Sequence, residues 1–239
     1  MYELRGVTKR YWCGAGPVDA LAGVDLVVGD GHRLVVQGPA GSGKSTLLRL
    51  LGGRGRPTSG SVELDGTDLA ALPEARLAAV RAESIGYVCE DRDLSPALSV
   101  LENVGTALAP LGFGGAARRE RAADALESVG LGAFATRLPR ELRDGGMRRL
   151  AIARALVKRP KVLLADEPTG DLEGAVRDEI MELLEEVWKE RGLTFVMVTH
   201  DSALVRDAPR LAVIRGGRVS VAENAERRER IGSIRANLR

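Results

Sequence analysis

The chain has 239 residues, of which 44% are hydrophobic and 28% charged, with a net charge of +2. This length and hydrophobic content suit one α/β unit, with or without an inserted subdomain, and the near-balanced charge gives no reason to expect a nucleic-acid partner. Two cysteines in no metal-binding spacing, and the lack of an 18-residue apolar run, favour a cytoplasmic chain that reaches a membrane only through a partner.

Two half-exposed antiparallel strands are predicted first, over residues 4–11 and 20–28, because apolar and polar residues alternate there. A Gly-Ala-Gly-Pro turn joins them. Tyr11 lies next to that turn, where its ring can stack on a nucleotide base by contact area. A core or surface role for Tyr11 stays open as the alternative.

The segment 38–46 fits the phosphate-loop pattern G-x-x-x-x-G-K-[ST] without a gap, which predicts a nucleoside triphosphate site. A short apolar strand over 33–37 precedes it and an amphipathic helix over 45–51 follows it, as the motif requires. The glycines allow a tight turn that aims backbone N–H groups at phosphate oxygens, beside the positive end of the helix. The predicted nucleotide-contacting residues are Gly38, Pro39, Ala40, Gly41, Ser42, Gly43, Lys44, Ser45 and Thr46.

Two side chains of this loop carry specific chemistry. Lys44 is expected to reach the β- and γ-phosphates, and the hydroxyl of Ser45 is expected to bind Mg²⁺ between them. The alternative is a glycine-rich loop that merely turns a corner. The strand and the helix on either side argue against it.

A helical insertion is predicted in the middle of the chain. Strands over 60–66 and 85–88, with a helix over 73–81 between them, lead into helical pieces over 98–138 that glycines interrupt. The insertion is either plain scaffold or a docking surface for a partner, and the pattern does not separate the two.

A helix over 147–158, with Asp144 as a candidate N-cap, precedes an apolar strand over 161–165 that delivers two carboxylates at its C-terminal end. Ligands bind at that end of the strands in an open parallel sheet. Asp166 is expected to hold Mg²⁺, and Glu167 to polarise an attacking water. The alternative, a solvated turn, is disfavoured by the phosphate loop upstream.

A lone histidine follows the next predicted strand. An amphipathic helix over 172–191 leads to a buried strand over 193–198, and His200 comes directly after it. Histidines more often satisfy the core than perform chemistry. Here His200 follows a strand as Asp166 does, so it is expected at the same sheet edge, near the γ-phosphate.

Two further strands are predicted over 210–214 and 218–222, on either side of an Arg-Gly-Gly turn. The tail over 223–239 is polar and arginine-rich, with apolar residues at near-helical spacing. A solvated terminal helix is the expected form, and contact with acidic lipid or a partner is the alternative.

In chain order, the phosphate loop, the strand at 85–88, a helix opening at Gly145 and Gly146, the run Ala-Asp-Glu-Pro-Thr-Gly and the later Thr-His-Asp resemble the ATPase subunit of ATP-binding cassette transporters. The match covers nearly the whole chain. Within that superfamily it is most similar to the small ATPases of lipoprotein-releasing, cell-division and macrolide-efflux systems, the LolD/FtsE/MacB group.

The resemblance implies an α/β fold: a phosphate-loop NTPase core with an antiparallel β subdomain and an inserted α-helical subdomain. The core and β subdomain would take residues 1–90 and 150–222, the helical subdomain 91–149 and the tail 223–239. Tyr11 would be the adenine-stacking aromatic, and Glu167 the catalytic base. His200 would contact the γ-phosphate.

The family also implies partners. Two ATPase subunits enclose ATP and Mg²⁺, each nucleotide lying between one chain's phosphate loop and the other chain's signature, whose helix N-terminus donates N–H groups to the γ-phosphate. The second subunit is expected to complete a homodimer or a heterodimer. A few-span membrane subunit of the FtsX, LolC or MacB type would hold the complex on the inner face of the cell membrane.

Three positions depart from the family pattern. The usual glutamine after the strand at 85–88 is Glu90, which can still ligate Mg²⁺. The aspartate that the family has in the D-loop, a few residues after the carboxylate pair, is Glu173 here, one methylene longer. The signature, usually Leu-Ser-Gly-Gly-Gln, has an arginine and an acid in place of neutral groups. Its nucleotide-facing residues are Arg143, Asp144, Gly145 and Gly146.

The acid in the signature bears on activity. A carboxylate within about 4 Å of the γ-phosphate would repel it by a few kcal/mol at an effective dielectric of about 20, unless Arg143 offsets the charge. The first hypothesis is therefore an ATP-hydrolysing motor subunit, and the second is a regulatory subunit that binds ATP with little turnover. The third is a soluble ATPase acting on DNA or in cofactor assembly, which would usually show a coiled-coil insertion or a basic stripe.

Overall fold

The computed structural model of the chain describes residues 1–14, 16–89, 94–143, 145–170, 172–201, 204–205 and 208–223. Glu90, Asp144 and the tail over 224–239, on which sequence-based expectations were placed, lie outside the described residues. The helices of the described part are α1 (Lys44–Leu51), α2 (Glu74–Ser84), α3 (Val100–Thr106), α4 (Gly115–Glu127), α5 (Gly146–Leu156) and α6 (Gly174–Arg191).

A six-stranded sheet carries the predicted nucleotide site. Its strands are β3 (Arg33–Gln37), β6 (Ile85–Val88), β7 (Val162–Asp166), β8 (Thr194–Thr199), β9 (Arg210–Arg215) and β10 (Arg218–Glu223). They lie in the order β10-β9-β3-β8-β7-β6, and every pair is parallel except β9 with β10. The loops that follow β3, β7 and β8 therefore leave the same edge of the sheet.

A second, antiparallel sheet packs beside the first. It contains β1 (Tyr2–Cys13), β2 (Gly16–Val28), β4 (Ser59–Leu64) and β5 (Thr67–Asp68), in the order β2-β1-β4-β5. The hairpin of β1 and β2 is longer than the alternation predicts, because pairing continues to Cys13 and Gly16 at its tip. The two-residue β5 is too short to give a periodic signal and was not predicted.

The residues of β3 and β8 divide the interior into two layers. Val35 and Phe195 point into one apolar cluster with α3 to α6, whereas Leu34, Val36 and Val196 point into another with α1 and the antiparallel sheet. This alternation follows from the period of two in a strand, and burial on both faces explains why these strands are continuously apolar.

The helical insertion begins with a capping box. The Glu102 amide donates to Ser99 Oγ at 3.2 Å, and the Ser99 amide donates to Glu102 Oε2 at 2.8 Å, which fixes the start of α3. The side chain of Asn103, 2% exposed, donates to the carbonyl oxygens of Ser95, Leu98 and Ser99 and ties the preceding segment to α3. These hydrogen bonds fix the segment that leads into the helical insertion against α3.

Candidate functional site

The loop between β3 and α1 needs glycine at two places. A Cβ on Gly38 would lie 2.4 Å from the Ile214 carbonyl oxygen, and a Cβ on Gly43 would lie 2.2 Å from the carbonyl oxygen of Ala20. Gly43 also has φ 107, in the left-handed region, directly before α1. The loop is therefore pressed against β2 and β9, and it turns into the helix at a position only glycine fills well.

Lys44 is held inside this loop. Its ammonium donates to the carbonyl oxygens of Gly38 at 2.8 Å and Pro39 at 3.1 Å, and the residue is 8% exposed. An ammonium has three donors, so these two bonds leave one for a further acceptor. The loop holds the positive charge where the motif requires it.

Ser42 supports a polyanionic ligand at this loop. Its hydroxyl oxygen is buried and has no hydrogen-bond partner among the described residues. A buried hydroxyl without a partner costs free energy unless a ligand satisfies it. With the backbone cradle at Gly38 and Gly43, this orphan group fits the binding of nucleotide phosphates.

Ser45 and Asp166 meet across the site. The Ser45 hydroxyl donates to Asp166 Oδ1 at 3.2 Å, although the two residues are 121 positions apart. Burial raises the pKa of the Asp166 carboxyl, and the charge of Glu167 adds to the rise; Ser45, Arg49 and Lys44 oppose it. A hydroxyl and one carboxylate are the few protein oxygens that Mg²⁺ uses when phosphates complete its shell, so the pair fits that ion.

Glu167 adopts a strained backbone and is paired with His200. Its φ of 46 lies in the left-handed region, which is uncommon for a residue other than glycine, and its amide donates to the Val198 carbonyl oxygen at 3.0 Å. The His200 amide donates to Glu167 Oε2 at 3.2 Å, while His200 Nδ1 lies 2.9 Å from Oε1. Both carboxylate oxygens are thus oriented by one neighbour.

The start of α5 differs from the sequence expectation. Its N-cap is Gly145, with φ 77, and not Asp144. A Cβ on Gly145 would lie 2.8 Å from Val176 Cγ1, so the turn packs directly against the first turn of α6, and only glycine permits that approach. Arg143 precedes this turn, and its carbonyl accepts from the Gly146 amide at 2.8 Å.

Tyr11 lies near the tip of the β1–β2 hairpin, opposite Val18, and is 40% exposed. The ammonium of Lys9 sits 5.3 Å from the centre of its ring. The exposed ring is free to stack on a planar ligand, and its strand partner β2 reaches the phosphate loop through Ala20. The structure does not itself show such stacking, and the role of Tyr11 remains a prediction.

The structure brings together five of the expected residues at one sheet edge: Lys44, Ser45, Asp166, Glu167 and His200. No hydrogen bond between described residues connects the start of α5 to the phosphate loop. Among the described residues no group of three or more His, Cys, Asp or Glu side chains could hold a metal ion. Of the residues expected to hold Mg²⁺, the structure describes Ser45 and Asp166.

Two features of the structure are not predicted by the sequence pattern. Arg148, on α5, is buried beside the loop that follows β7. A cavity of about 350 Å³ between α2, α3 and α5 is lined by four cations. The linear pattern holds no signal for either, because arginines and lysines on helices are normally taken as solvated. The cations of the cavity are Arg54, Arg81, Arg154 and Lys158.

Comparison with known families and proteins places these features in context. The family model described as ABC transporter matches residues 21–170. The chain is 44% identical to the lipoprotein-releasing system ATP-binding protein LolD of Geobacter metallireducens, over 92% of this chain and 97% of that protein. It is 40% identical to the uncharacterized ABC transporter ATP-binding protein YknY of Bacillus subtilis, over 95% and 98% of the two chains.

Solved structures of ATP-binding cassettes have the same fold as this chain. A dimeric post-hydrolysis state of the ATP-binding cassette MJ0796, bound to ADP and Pi, superposes with a TM-score of 0.86 at 36% identity, over 93% of this chain and 98% of that one. The macrolide export ATP-binding/permease protein MacB of Rhodopirellula baltica is 40% identical, and the match spans 33% of its length. None of the described helices of this chain is long and apolar enough to cross a membrane.

Proposed function

The chain belongs to the ABC transporter family, and on that premise we propose that it hydrolyses ATP with Glu167 as the general base, as one of two ATPase subunits attached to a membrane subunit. The observation that carries the proposal is the pairing of Glu167 with His200 beside the Ser45–Asp166 pair, all at the edge of the sheet where the phosphate loop ends. A base, its orienting group and the metal ligands are thereby preassembled.

Each described side chain has one task in this mechanism. Lys44 pairs with the β- and γ-phosphates, and Ser45 and Asp166 hold Mg²⁺, which supplies charge neutralisation between those phosphates when bound. Glu167 accepts the proton of the attacking water as the water oxygen bonds to the γ-phosphorus and the bond from that phosphorus to the bridging β-phosphate oxygen breaks, which releases ADP. His200 keeps the Glu167 carboxylate turned toward that water, because it contacts both oxygens.

Phosphate release by the purified chain, alone and with its membrane subunit, tests this proposal against the regulatory alternative. We expect Mg²⁺-dependent release that rises with the membrane subunit. Tight ATP binding without release in either setting would instead support a regulatory subunit that binds ATP without turnover.

The second ATPase subunit is proposed from the signature. The residues that act on the chain's own nucleotide are intact, whereas Arg143, Asp144 and Glu173 belong to the segments expected to face the nucleotide of the other subunit. Pairing with an ATPase that has an ordinary signature would leave one good composite site, built around this chain's Glu167. A heterodimer is therefore proposed, with a weak homodimer as the alternative, and the dimeric solved relatives are consistent with either.

The membrane subunit is proposed to dock at the junction of the helical insertion and the core, on the inner face of the membrane. The cavity there is lined by Arg154 of α5 and by Lys158 just after that helix, by Arg54 and Arg81, and by Thr106 at the end of α3. No aspartate or glutamate is among the described residues that line it. The cavity thus has the charge and the position to take an acidic segment of that subunit.

Two cations of the cavity, Lys158 and Arg154, have little compensation among the residues that the structure describes. Burial, Arg54 and Arg154 lower the pKa of Lys158 to about 8, and its ammonium donates to the Arg81 carbonyl oxygen at 2.6 Å. The Nε of Arg154 is buried without a hydrogen-bond partner among the described residues. Arg81 does pair with Glu74, at 2.7 Å on the rim. A carboxylate of the membrane subunit would pair with the Lys158 ammonium and accept a hydrogen bond from the Arg154 guanidinium.

Charge reversal tests this docking site. We expect Lys158→Glu to weaken co-purification with the membrane subunit, and a photo-crosslinking residue at position 110, which lines the cavity, to label that subunit. Lys161→Glu is the matched control, since Lys161 does not line this cavity and pairs with Asp65 at 3.1 Å. Equal loss in both variants, or crosslinks that miss the partner while other surfaces hit it, would argue against this docking face.

A further inference from the structure

Arg148 is a buried cation whose placement is unfavourable on three counts. The residue is 7% exposed, and its Nη1 has no hydrogen-bond partner among the described residues. It occupies the first turn of α5, all of whose residues are described, where the helix presents its positive end and the turn itself contains no acidic residue. A buried donor without an acceptor and a cation at a helix N-terminus each lower stability.

A buried, incompletely hydrogen-bonded cation at a helix N-terminus does not stabilise the fold, so we expect a functional role for Arg148. Local violations of the rules that stabilise a fold concentrate at functional sites, where the geometry they enforce is used. The neighbour of the same type on the same helix shows the contrast. Arg149 donates to Glu179 Oε2 at 2.8 Å and to the Val129 carbonyl oxygen at 3.2 Å, so it satisfies those rules.

The guanidinium of Arg148 lies against the turn that follows β7. A Cβ on Gly170 would come within 2.7 Å of Arg148 Nη2, so the planar group contacts the bare backbone of that glycine. Gly170 has φ 44, and its amide donates to the Glu167 carbonyl oxygen at 3.0 Å. The next bond of the same segment runs from the Leu172 amide to the Thr169 carbonyl oxygen at 2.8 Å.

We infer that Arg148 is a positioning residue for Glu167: its guanidinium wedges the turn over 167–170 against the start of α5 and so holds Glu167 in its strained backbone conformation. The turn has no strand or helix of its own to hold it, and Glu167 at φ 46 would relax without an external support. Among the described residues no hydrogen bond or ion pair joins Arg148 to the nucleotide-binding loop or to His200, so it acts through Gly170. The inference rests on the proposed role of Glu167 as the base.

The test replaces Arg148 with methionine, which is unbranched and of similar length but has no donors and no charge. Amide hydrogen exchange of the peptide covering 167–172 should then rise at least about tenfold, because the Gly170 and Leu172 amides lose protection when the turn opens. The melting temperature should stay or rise, since an unpaired buried charge has been removed. ATP affinity should change less than about threefold while kcat falls at least about tenfold.

Arg149→Met is the matched control. It should lower the melting temperature, because a satisfied guanidinium is lost, and leave exchange of 167–172 unchanged. Arg148→Gln, planar but shorter, serves as a second variant if the methionine form does not fold, with the same expected directions.

Exchange separates this inference from the proposed function. Raised exchange at 167–172 in a chain that shows no turnover even in its parent form would uphold the wedge and refute Glu167 as the base of an active enzyme. Unchanged exchange in Arg148→Met, or a melting temperature that falls as far as in Arg149→Met, would overturn the inference whatever the turnover.

Discussion

His200 contacts both oxygens of the Glu167 carboxylate, one through its backbone amide at 3.2 Å and the other through Nδ1 at 2.9 Å. The two residues lie at the ends of neighbouring parallel strands, β8 and β7, so the sheet itself sets their separation. The histidine side chain is 70% exposed, whereas that of Glu167 is 21% exposed. The exposed ring is therefore the adjustable member of the pair.

His200→Ala removes one of these two contacts and keeps the backbone one. We expect kcat to fall about 10²-fold, within the usual range for a group that supports proton transfer, while ATP affinity changes less than about threefold. Steady-state phosphate release with a parallel nucleotide titration measures both. The chain has two histidines, and His32→Ala is the control, because His32 lies before β3 and contacts Arg210. A His200 variant as active as the His32 variant would contradict the orienting role.

Lys44→Ala removes the charge that the phosphate loop encloses. We expect ATP affinity to fall at least about 100-fold, because backbone N–H groups alone do not neutralise the β- and γ-phosphates. Calorimetric titration with ATP and Mg²⁺ measures it, and Lys161→Ala, an exposed lysine on another edge, is the control. Unchanged affinity in Lys44→Ala would reject the assignment of this loop as the triphosphate site.

Asp166→Asn should change the pH dependence of stability. The folded-state pKa of this carboxyl is raised above its ordinary value of 3.8, chiefly by burial. The folded protein thus holds this proton more tightly than the unfolded chain, so the stabilisation is complete below that ordinary value and is lost as the pH rises through the raised pKa. At pH 7 the buried carboxylate is a cost.

The asparagine variant lacks that cost and keeps an acceptor for Ser45. We expect its melting temperature at pH 7 to equal or exceed that of the parent, with the difference shrinking toward pH 4, while Mg²⁺ no longer strengthens ATP binding. Thermal melts across this pH range measure the effect. A lower melting temperature at pH 7 than the parent would show that the carboxylate stabilises the fold through a partner.

Repair of the signature should raise turnover if this segment is the weak part of the enzyme. Arg143→Ser combined with Asp144→Gly removes both charges from the segment before α5, and we expect phosphate release by the chain alone to rise about tenfold or more. Gly146 is left unchanged, because a Cβ there would lie 2.9 Å from Leu142 Cβ. Brisk release by the parent chain with no gain on repair would refute the proposed asymmetry.

Much of the site follows from the sequence, because Asp166, Glu167 and His200 lie at or directly after the ends of apolar strands and the phosphate loop follows β3. Parallel neighbours place such groups at one edge, so the contacts of Ser45 with Asp166 and of Glu167 with His200 are a consequence of strand order. The phosphate-loop pattern supplied the chemistry. The helical insertion also followed, since its glycine-broken helices interrupt the strand pattern.

The features that the sequence did not predict depend on contacts between segments that are distant in sequence. The left-handed backbone of Glu167 is not favoured by any local propensity of a glutamate, and in the structure it accompanies a hydrogen bond from its amide to the Val198 carbonyl oxygen. The sequence pattern predicts Arg148 as a surface residue of an amphipathic helix. In the structure its guanidinium is buried against Gly170, where a side chain would leave no room for it. Propensity makes the acid Asp144 a candidate N-cap of α5, whereas the N-cap in the structure is Gly145, which packs closely against Val176.

The general-base role of Glu167 is tested most directly by single-turnover hydrolysis. Excess protein is mixed with γ-labelled ATP and Mg²⁺, and phosphate formation is followed for the parent chain, Glu167→Gln and the control Glu63→Gln on β4, whose side chain is 22% exposed against 21% for Glu167, each with the membrane subunit present. We expect the parent and Glu63→Gln to form phosphate at the same rate, and Glu167→Gln to form it at least about 100-fold more slowly with unchanged ATP affinity. Phosphate formation by Glu167→Gln at the parent rate would contradict the account.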